Sequence, residues 1–174
     1  MNYDTDIVFF GDSLTIMTDF QTAYPDYKIF NFGVYGDNLT ELKNRTYVIK
    51  NLTPSKIFFL GGINSLFNSY PMDKSIATYR TIVEEMVNDN PATEIYLQSI
   101  LPIQGSKELN DNICKMNAMI QSIAKEYGLI YIDLYPLFES GGELNPEYSE
   151  DGTHLSEEGK NVWITAIKPF VTSE

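Results

Sequence analysis

The stretch Ile7-Val8-Phe9-Phe10-Gly11-Asp12-Ser13-Leu14 decides the fold. Four apolar residues in a row leave no alternate position for water, so the run predicts a strand covered on both faces, as in a parallel sheet. It stops at Gly11, where a tight turn is cheap. Asp12 or Ser13 can then cap a following helix. Four more runs repeat the form: Lys28-Ile29-Phe30-Asn31-Phe32 before Gly33, Lys56-Ile57-Phe58-Phe59-Leu60 before Gly61-Gly62, Glu94-Ile95-Tyr96-Leu97 continuing to Ile100-Leu101-Pro102, and Leu129-Ile130-Tyr131-Ile132 before Asp133.

Helical spacing fills the gaps. Ile76, Tyr79, Val83 and Met86 recur at three and four, with Asp73 as the expected cap. Leu109, Ile113, Met116, Ile120, Ile123 and Tyr127 recur likewise, and Gly128 is the expected stop. Ser156 should cap a last helix carrying Val162, Trp163, Ala166 and Ile167, with Glu157 and Glu158 near the positive end of its dipole. Pro169 should limit or kink that helix. Strand–helix alternation of this length predicts an α/β fold, a three-layer α/β/α sandwich around a central five-stranded parallel sheet, flavodoxin-like in outline. No linker or repeat interrupts it, so residues 1–174 read as a single domain.

Composition narrows the partners. The 174 residues carry 24 acidic and 12 basic side chains, a net charge of −12. That charge disfavours nucleic acid and anionic membrane surfaces, both of which need clustered Lys and Arg. It suits a neutral or cationic small-molecule ligand, and it leaves a homo-oligomer open. No apolar run reaches the ~18 residues of a membrane span, and the acidic start Met1-Asn2-Tyr3-Asp4-Thr5-Asp6 is unlike a secretion signal, so a cytoplasmic location is expected. Cys114 is the only cysteine. Lying beside an apolar helix stripe, it is expected to be a buried structural thiol. No zinc-type His/Cys spacing occurs, so no metal and no cofactor are expected.

Ligand sites in open parallel sheets lie beyond the carboxyl ends of the strands. Ser13, the Gly33-to-Asp37 stretch and the Gly61-to-Ser65 stretch all fall there. Serine needs an adjacent base, and His154 is the only histidine of the chain. In Asp151-Gly152-Thr153-His154, the D-x-x-H spacing lets Asp151 reach back and orient the imidazole. For a developing oxyanion, the donors are the Ser13 amide, the Gly36 amide and the Asn64 side-chain amide. Each residue alone equally suits a cap, a turn or a surface loop; the weight lies in all of them occurring at strand ends. Leu66, Phe67, Tyr70 and Tyr35 are candidates to line the site, and Trp163 to anchor the core beneath His154.

The chain resembles the GDSL, or SGNH, hydrolase family. The resemblance rests on Phe10-Gly11-Asp12-Ser13-Leu14, Asn31-Phe32-Gly33-Val34-Tyr35-Gly36-Asp37, Gly62-Ile63-Asn64-Ser65 and Asp151-Gly152-Thr153-His154-Leu155. It implies Ser13 as nucleophile, His154 as base, Asp151 as orienter, and Gly36 and Asn64 as oxyanion donors. Gly33 rivals Gly36, though Gly36-Asp37 matches the family pattern better. The third block departs from that pattern at Ser65, where the family usually has Asp. The implied activity is a serine esterase or acylhydrolase on small or short-chain acyl groups; lipid, carbohydrate and thioester substrates all occur in the family. Two rival readings are a degenerate hydrolase scaffold and a non-catalytic flavodoxin-like binding module. Against the latter, the first turn lacks G-x-G-x-x-G and the chain has no G-x-x-x-x-G-K-[ST] loop.

Overall fold

The computed structural model describes residues 6–173. In chain order the elements are β1 (Ile7–Gly11), α1 (Ser13–Ile16), α2 (Phe20–Ala23), β2 (Ile29–Gly33), α3 (Leu39–Asn44), β3 (Lys56–Leu60), α4 (Ile63–Phe67), α5 (Met72–Asp89), β4 (Glu94–Gln98), α6 (Lys107–Tyr127), β5 (Ile130–Ile132), α7 (Tyr135–Phe138), a two-stranded hairpin of β6 (Glu139–Ser140) and β7 (Glu143–Leu144), and α8 (Glu157–Val171). Five strands form one parallel sheet in the order β2-β1-β3-β4-β5. This is the doubly wound order, and its switch point lies between β1 and β3.

The register explains the two cores. It sets Phe9, Phe58 and Tyr96 side by side on one face. Phe9 stacks on Phe20 of α2 and on Phe58, and Phe58 stacks on Tyr96. Trp163 of α8 meets Phe20 edge-on and completes this layer. The alternate residues Val8, Phe10, Ile57, Phe59, Ile95 and Leu97 face α3, α5 and α6. Burial of such side chains is worth ~1.5–3 kcal/mol each, so the two clusters are the main source of stability.

Most predicted elements occur, and the departures have physical causes. The edge strands β2 and β5 are only partly buried, because each has a neighbour on one side alone. The fourth strand stops at Gln98, and its apolar continuation becomes a loop over the site. Asp73 does not cap α5: Pro71 occupies that position and Asp73 lies in the first turn. Pro169 does not stop α8, which runs to Val171. There the buried Lys56 ammonium of β3 donates to the carbonyls of Phe170, Val171 and Ser173, capping the helix end. Cys114 is exposed, not buried; one residue beyond Ile113, it turns away from the apolar stripe. Among the described residues no helix is long and apolar enough to cross a membrane.

Candidate active site

Ser13 sits at the carboxyl end of β1 as the first residue of α1. Asp12 caps that helix by accepting from the Leu14 amide, so the capping reading and the site reading hold together. The turn is as tight as glycine allows: a Cβ on Gly11 would lie 2.3 Å from the Leu60 carbonyl oxygen. Ser13 Oγ lies 3.2 Å from His154 Nε2. His154 Nδ1 lies 2.7 Å from Asp151 Oδ2. The two residues 141 positions apart in sequence therefore meet, as the sequence requires of a nucleophile and its base.

The Asp151 loop is organised by its own carboxylate. Oδ1 accepts from the amides of Thr153 and His154, at 2.9 and 2.7 Å, while Oδ2 faces the ring. The bond from His154, then these backbone donors, hold the Asp151 carboxyl well below the usual range. An ionised acceptor there fixes the proton on Nδ1 and leaves Nε2 free to accept from Ser13. The loop is stapled to the segment after β4 by the backbone N–H of Gln104, which donates to the Gly152 carbonyl at 2.9 Å. Gly152 has φ +83°, and a Cβ would come 3.0 Å from Gln104 Cβ. Only glycine meets both conditions.

The proposed oxyanion donors follow three different strands. Ser13 N–H, at the start of α1, has no helical acceptor. Gly36, after β2, has φ +76° and open space around it. Gly33 is less suited, since its amide already donates to Asn31 Oδ1 at 3.0 Å and its Cα packs against Ile16. Asn64, in α4 after β3, spends one N–H on the Asp37 carbonyl at 2.9 Å and keeps the other. Ser65, at the departure from the family pattern, accepts from the Leu39 amide and ties α4 to α3.

A cavity of about 100 Å³ opens against Ser13, Asn64 and His154. Apart from Thr153, its other walls are apolar: Leu14, Leu60, Ile63, Phe67 and residues 100–103. Phe67 thus lines the site as expected, while Leu66 and Tyr70 border a separate depression and Tyr35 stands in solvent. Larger cavities exist, including one of about 400 Å³ lined by Leu39, Thr40, Lys74 and Thr78. That cavity holds no nucleophile–base pair, so size does not designate the site.

Sequence reasoning missed the residues that hold this wall. Asn117 of α6 takes both backbone groups of Ile100, at 2.8 and 2.9 Å. Asn110 does the same for Ile103, at 2.9 and 2.8 Å. The signal was present: two asparagines seven apart share a helix face otherwise apolar, and both are buried. A buried amide needs partners, and a loop backbone supplies them. Trp163, expected as an anchor, is fully buried and donates to Gln98 Oε1 at 2.7 Å.

Asp12 is the other charged group near the nucleophile. It is fully buried, and its Oδ2 has no hydrogen-bond partner among the described residues. Burial raises its pKa to about 7, with the Asp37 charge adding to the rise and the Leu14 amide and His154 opposing it. Among the described residues no cluster of His, Cys, Asp and Glu could hold a metal.

The all-parallel β2-β1-β3-β4-β5 sheet with helices on both faces is a flavodoxin-like α/β/α architecture, and a serine, an imidazole and a carboxylate stand in line beyond the carboxyl ends of its strands. Residues 9–162 match the GDSL-like Lipase/Acylhydrolase family, and the chain belongs to it. It is similar to a Streptococcus pneumonia structure put forward as a platelet activating factor, with 26% identity, TM-score 0.87, and coverage of 96% of this chain and 84% of that one. It is also similar in fold to a GDSL-like lipase from Bacteroides thetaiotaomicron, with 22% identity, TM-score 0.84, and coverage of 96% and 87%. A catalytic mutant of an acetylxylan esterase from Geobacillus stearothermophilus is 21% identical, with TM-score 0.80 and coverage of 100% and 97%. Among curated proteins, an N-acylneuraminate cytidylyltransferase from Escherichia coli O18:K1:H7 is 24% identical over 173 residues, 96% of this chain. The chain spans 40% of that protein's length.

Proposed function

We propose that this protein is a serine esterase that removes small acyl groups, acetyl above all, from an alcohol. The observation that carries the reading is the line Ser13 Oγ, His154 Nε2, His154 Nδ1, Asp151 Oδ2, with separations of 3.2 and 2.7 Å. The first distance is slightly long for a hydrogen bond, as is usual before substrate tightens the site. His154 takes the Ser13 proton as Oγ attacks the ester carbonyl. The amides of Ser13 and Gly36 and the Asn64 side chain hold the oxyanion. His154 then protonates the departing alcohol, and water activated by the same imidazole clears the acyl-enzyme. Asp151 stays ionised throughout and stabilises the imidazolium.

The cavity supports a small acyl group. An apolar cavity of ~150 Å³ takes benzene, so about 100 Å³ accommodates a few carbon atoms, which favours a short acyl chain. The likeness to an acetylxylan esterase supports the same choice. The test is hydrolysis of p-nitrophenyl acetate, butyrate and octanoate by the wild type and Ser13→Ala. Turnover should fall in that order of chain length. In the alanine variant it should drop by ~10³-fold or more with an unchanged melting temperature. Residual wild-type turnover in Ser13→Ala would overturn the nucleophile, and a preference for octanoate would overturn the size.

A further inference from the structure

We propose that Arg45 is a positioning residue: through Asp37 it sets the oxyanion donors against the strand that presents Ser13. Arg45 follows α3, and its side chain is mostly buried, at 17% exposure. Its guanidinium donates in three directions. Nε bonds Asp37 Oδ2 at 2.5 Å, Nη1 bonds the Phe32 carbonyl at 2.8 Å, and Nη2 bonds the Gly11 carbonyl at 2.7 Å. The group also lies 4.6 Å from the centre of the Phe10 ring. One cation therefore joins the ends of β1 and β2 to the loop carrying Gly36.

Asp37 passes the constraint on. Its carboxylate is held by Arg45, and its backbone carbonyl accepts from Asn64 Nδ2 at 2.9 Å. Gly36 precedes it directly. The two donors that Ser13 does not itself supply thus share one anchored residue as their reference. Oxyanion stabilisation depends on donors that are in place before charge develops, and a misplacement of ~1 Å costs ~10²-fold. Lysine cannot replace the planar fork, since a single ammonium cannot reach three acceptors in these directions with the same geometry.

The proposal rests on the serine-esterase reading and goes one layer beyond it. Its test is the steady-state hydrolysis of p-nitrophenyl acetate by the wild type, Ser13→Ala, Arg45→Met, Arg45→Lys, Asn64→Ala and the double variant Asn64→Ala/Arg45→Met, each checked for folding by circular dichroism. Arg45→Met should lower kcat by ~10–100-fold and leave KM within about twofold, with the midpoint of the pH profile unmoved; Arg45→Lys should recover only part of the loss. In the Asn64→Ala background the same replacement should cost clearly less, because a donor it positions is already gone. A folded Arg45→Met with wild-type kcat, or a loss that is equal in both backgrounds, would overturn the proposal. Should Arg45→Met fail to fold, Asp37→Ala is judged by the same criteria, as it removes the Nε contact and keeps the bonds to Gly11 and Phe32. A wild type without Ser13-dependent turnover would overturn the esterase reading and this proposal together. Ser13-dependent turnover that is indifferent to Arg45 would overturn this proposal alone.

Discussion

The two halves of the site are built differently. The base half is local and exposed: Asp151 and His154 are three residues apart, and their side chains are 55% and 36% exposed. Its geometry comes from one loop folding onto its own carboxylate. The proposed oxyanion half is non-local and hangs on a buried anchor: Gly36 is exposed and Asn64 half-buried, they come from separate strand ends, and they are joined by Asp37 and Arg45, whose side chains are 11% and 17% exposed. The difference teaches how each kind of geometry is held. A pair set by one loop is oriented by that loop's own hydrogen bonds, whereas donors carried by separate strands need a shared buried anchor to hold them in place.

The sharpest way to break the comparison is Asp151→Asn. It keeps the loop nearly isosteric and removes the charge that orients His154, so kcat should fall on the order of 10²–10⁴-fold, and the pH–rate profile should change shape. A profile of unchanged shape would place the orienting role elsewhere. Asn64→Ala probes the other half. Its kcat should fall roughly 10²-fold or more by a factor constant from pH 6 to pH 9, since an amide donor does not titrate. A pH-dependent loss would tie Asn64 to the base instead.

A smaller effect separates the two glycines. Gly152→Ala meets both a positive φ and Gln104, so the melting temperature should fall by roughly 3–10 °C, with kcat reduced as His154 shifts. Gly36→Ala meets the φ penalty alone and should cost less in melting temperature. Equal losses would mean that the Gln104 contact relaxes freely.

The smallest effect concerns Asp12, the buried charge between the halves. Its carboxyl titrates near the ordinary 3.8 in the unfolded chain and near 7 when folded. Between these values the folded protein holds a proton that the unfolded chain has released, so folding stability declines as pH rises from about 4 to 7. Asp12→Asn has no such titration. Relative to the wild type, it should gain about 2 kcal/mol between pH 5.5 and pH 8.5, read by chemical denaturation at the two pH values. A constant difference would mean that Asp12 is ionised throughout.

Five strands, the two long helices and the last helix were legible in the chain. Runs such as Ile7-Val8-Phe9-Phe10 and the spacing of Ile113, Met116 and Ile120 report burial directly, through the periods of strand and helix. The base half was legible for the same local reason, as Asp151 and His154 share one loop. The short helices α2, α3, α4 and α7 escaped notice, because four to six residues carry too little periodicity. Cys114 was misjudged because one residue's rotation, about 100° on a helix, separates the buried stripe from solvent.

By itself, then, the sequence determined the parallel sheet, the strand ends at which polar residues gather, and the candidates Ser13, Asp151, His154, Gly36 and Asn64. Apolar runs and turn residues act through the backbone next to them, so they can be read one segment at a time. Only the tertiary structure decided that Arg45 reaches Gly11, Phe32 and Asp37, that Asn110 and Asn117 clamp residues 100–103, and that the cavity against Ser13 is about 100 Å³. Those are pairings between groups brought together by crossovers, and a polar side chain carries no mark of which distant carbonyl will satisfy it.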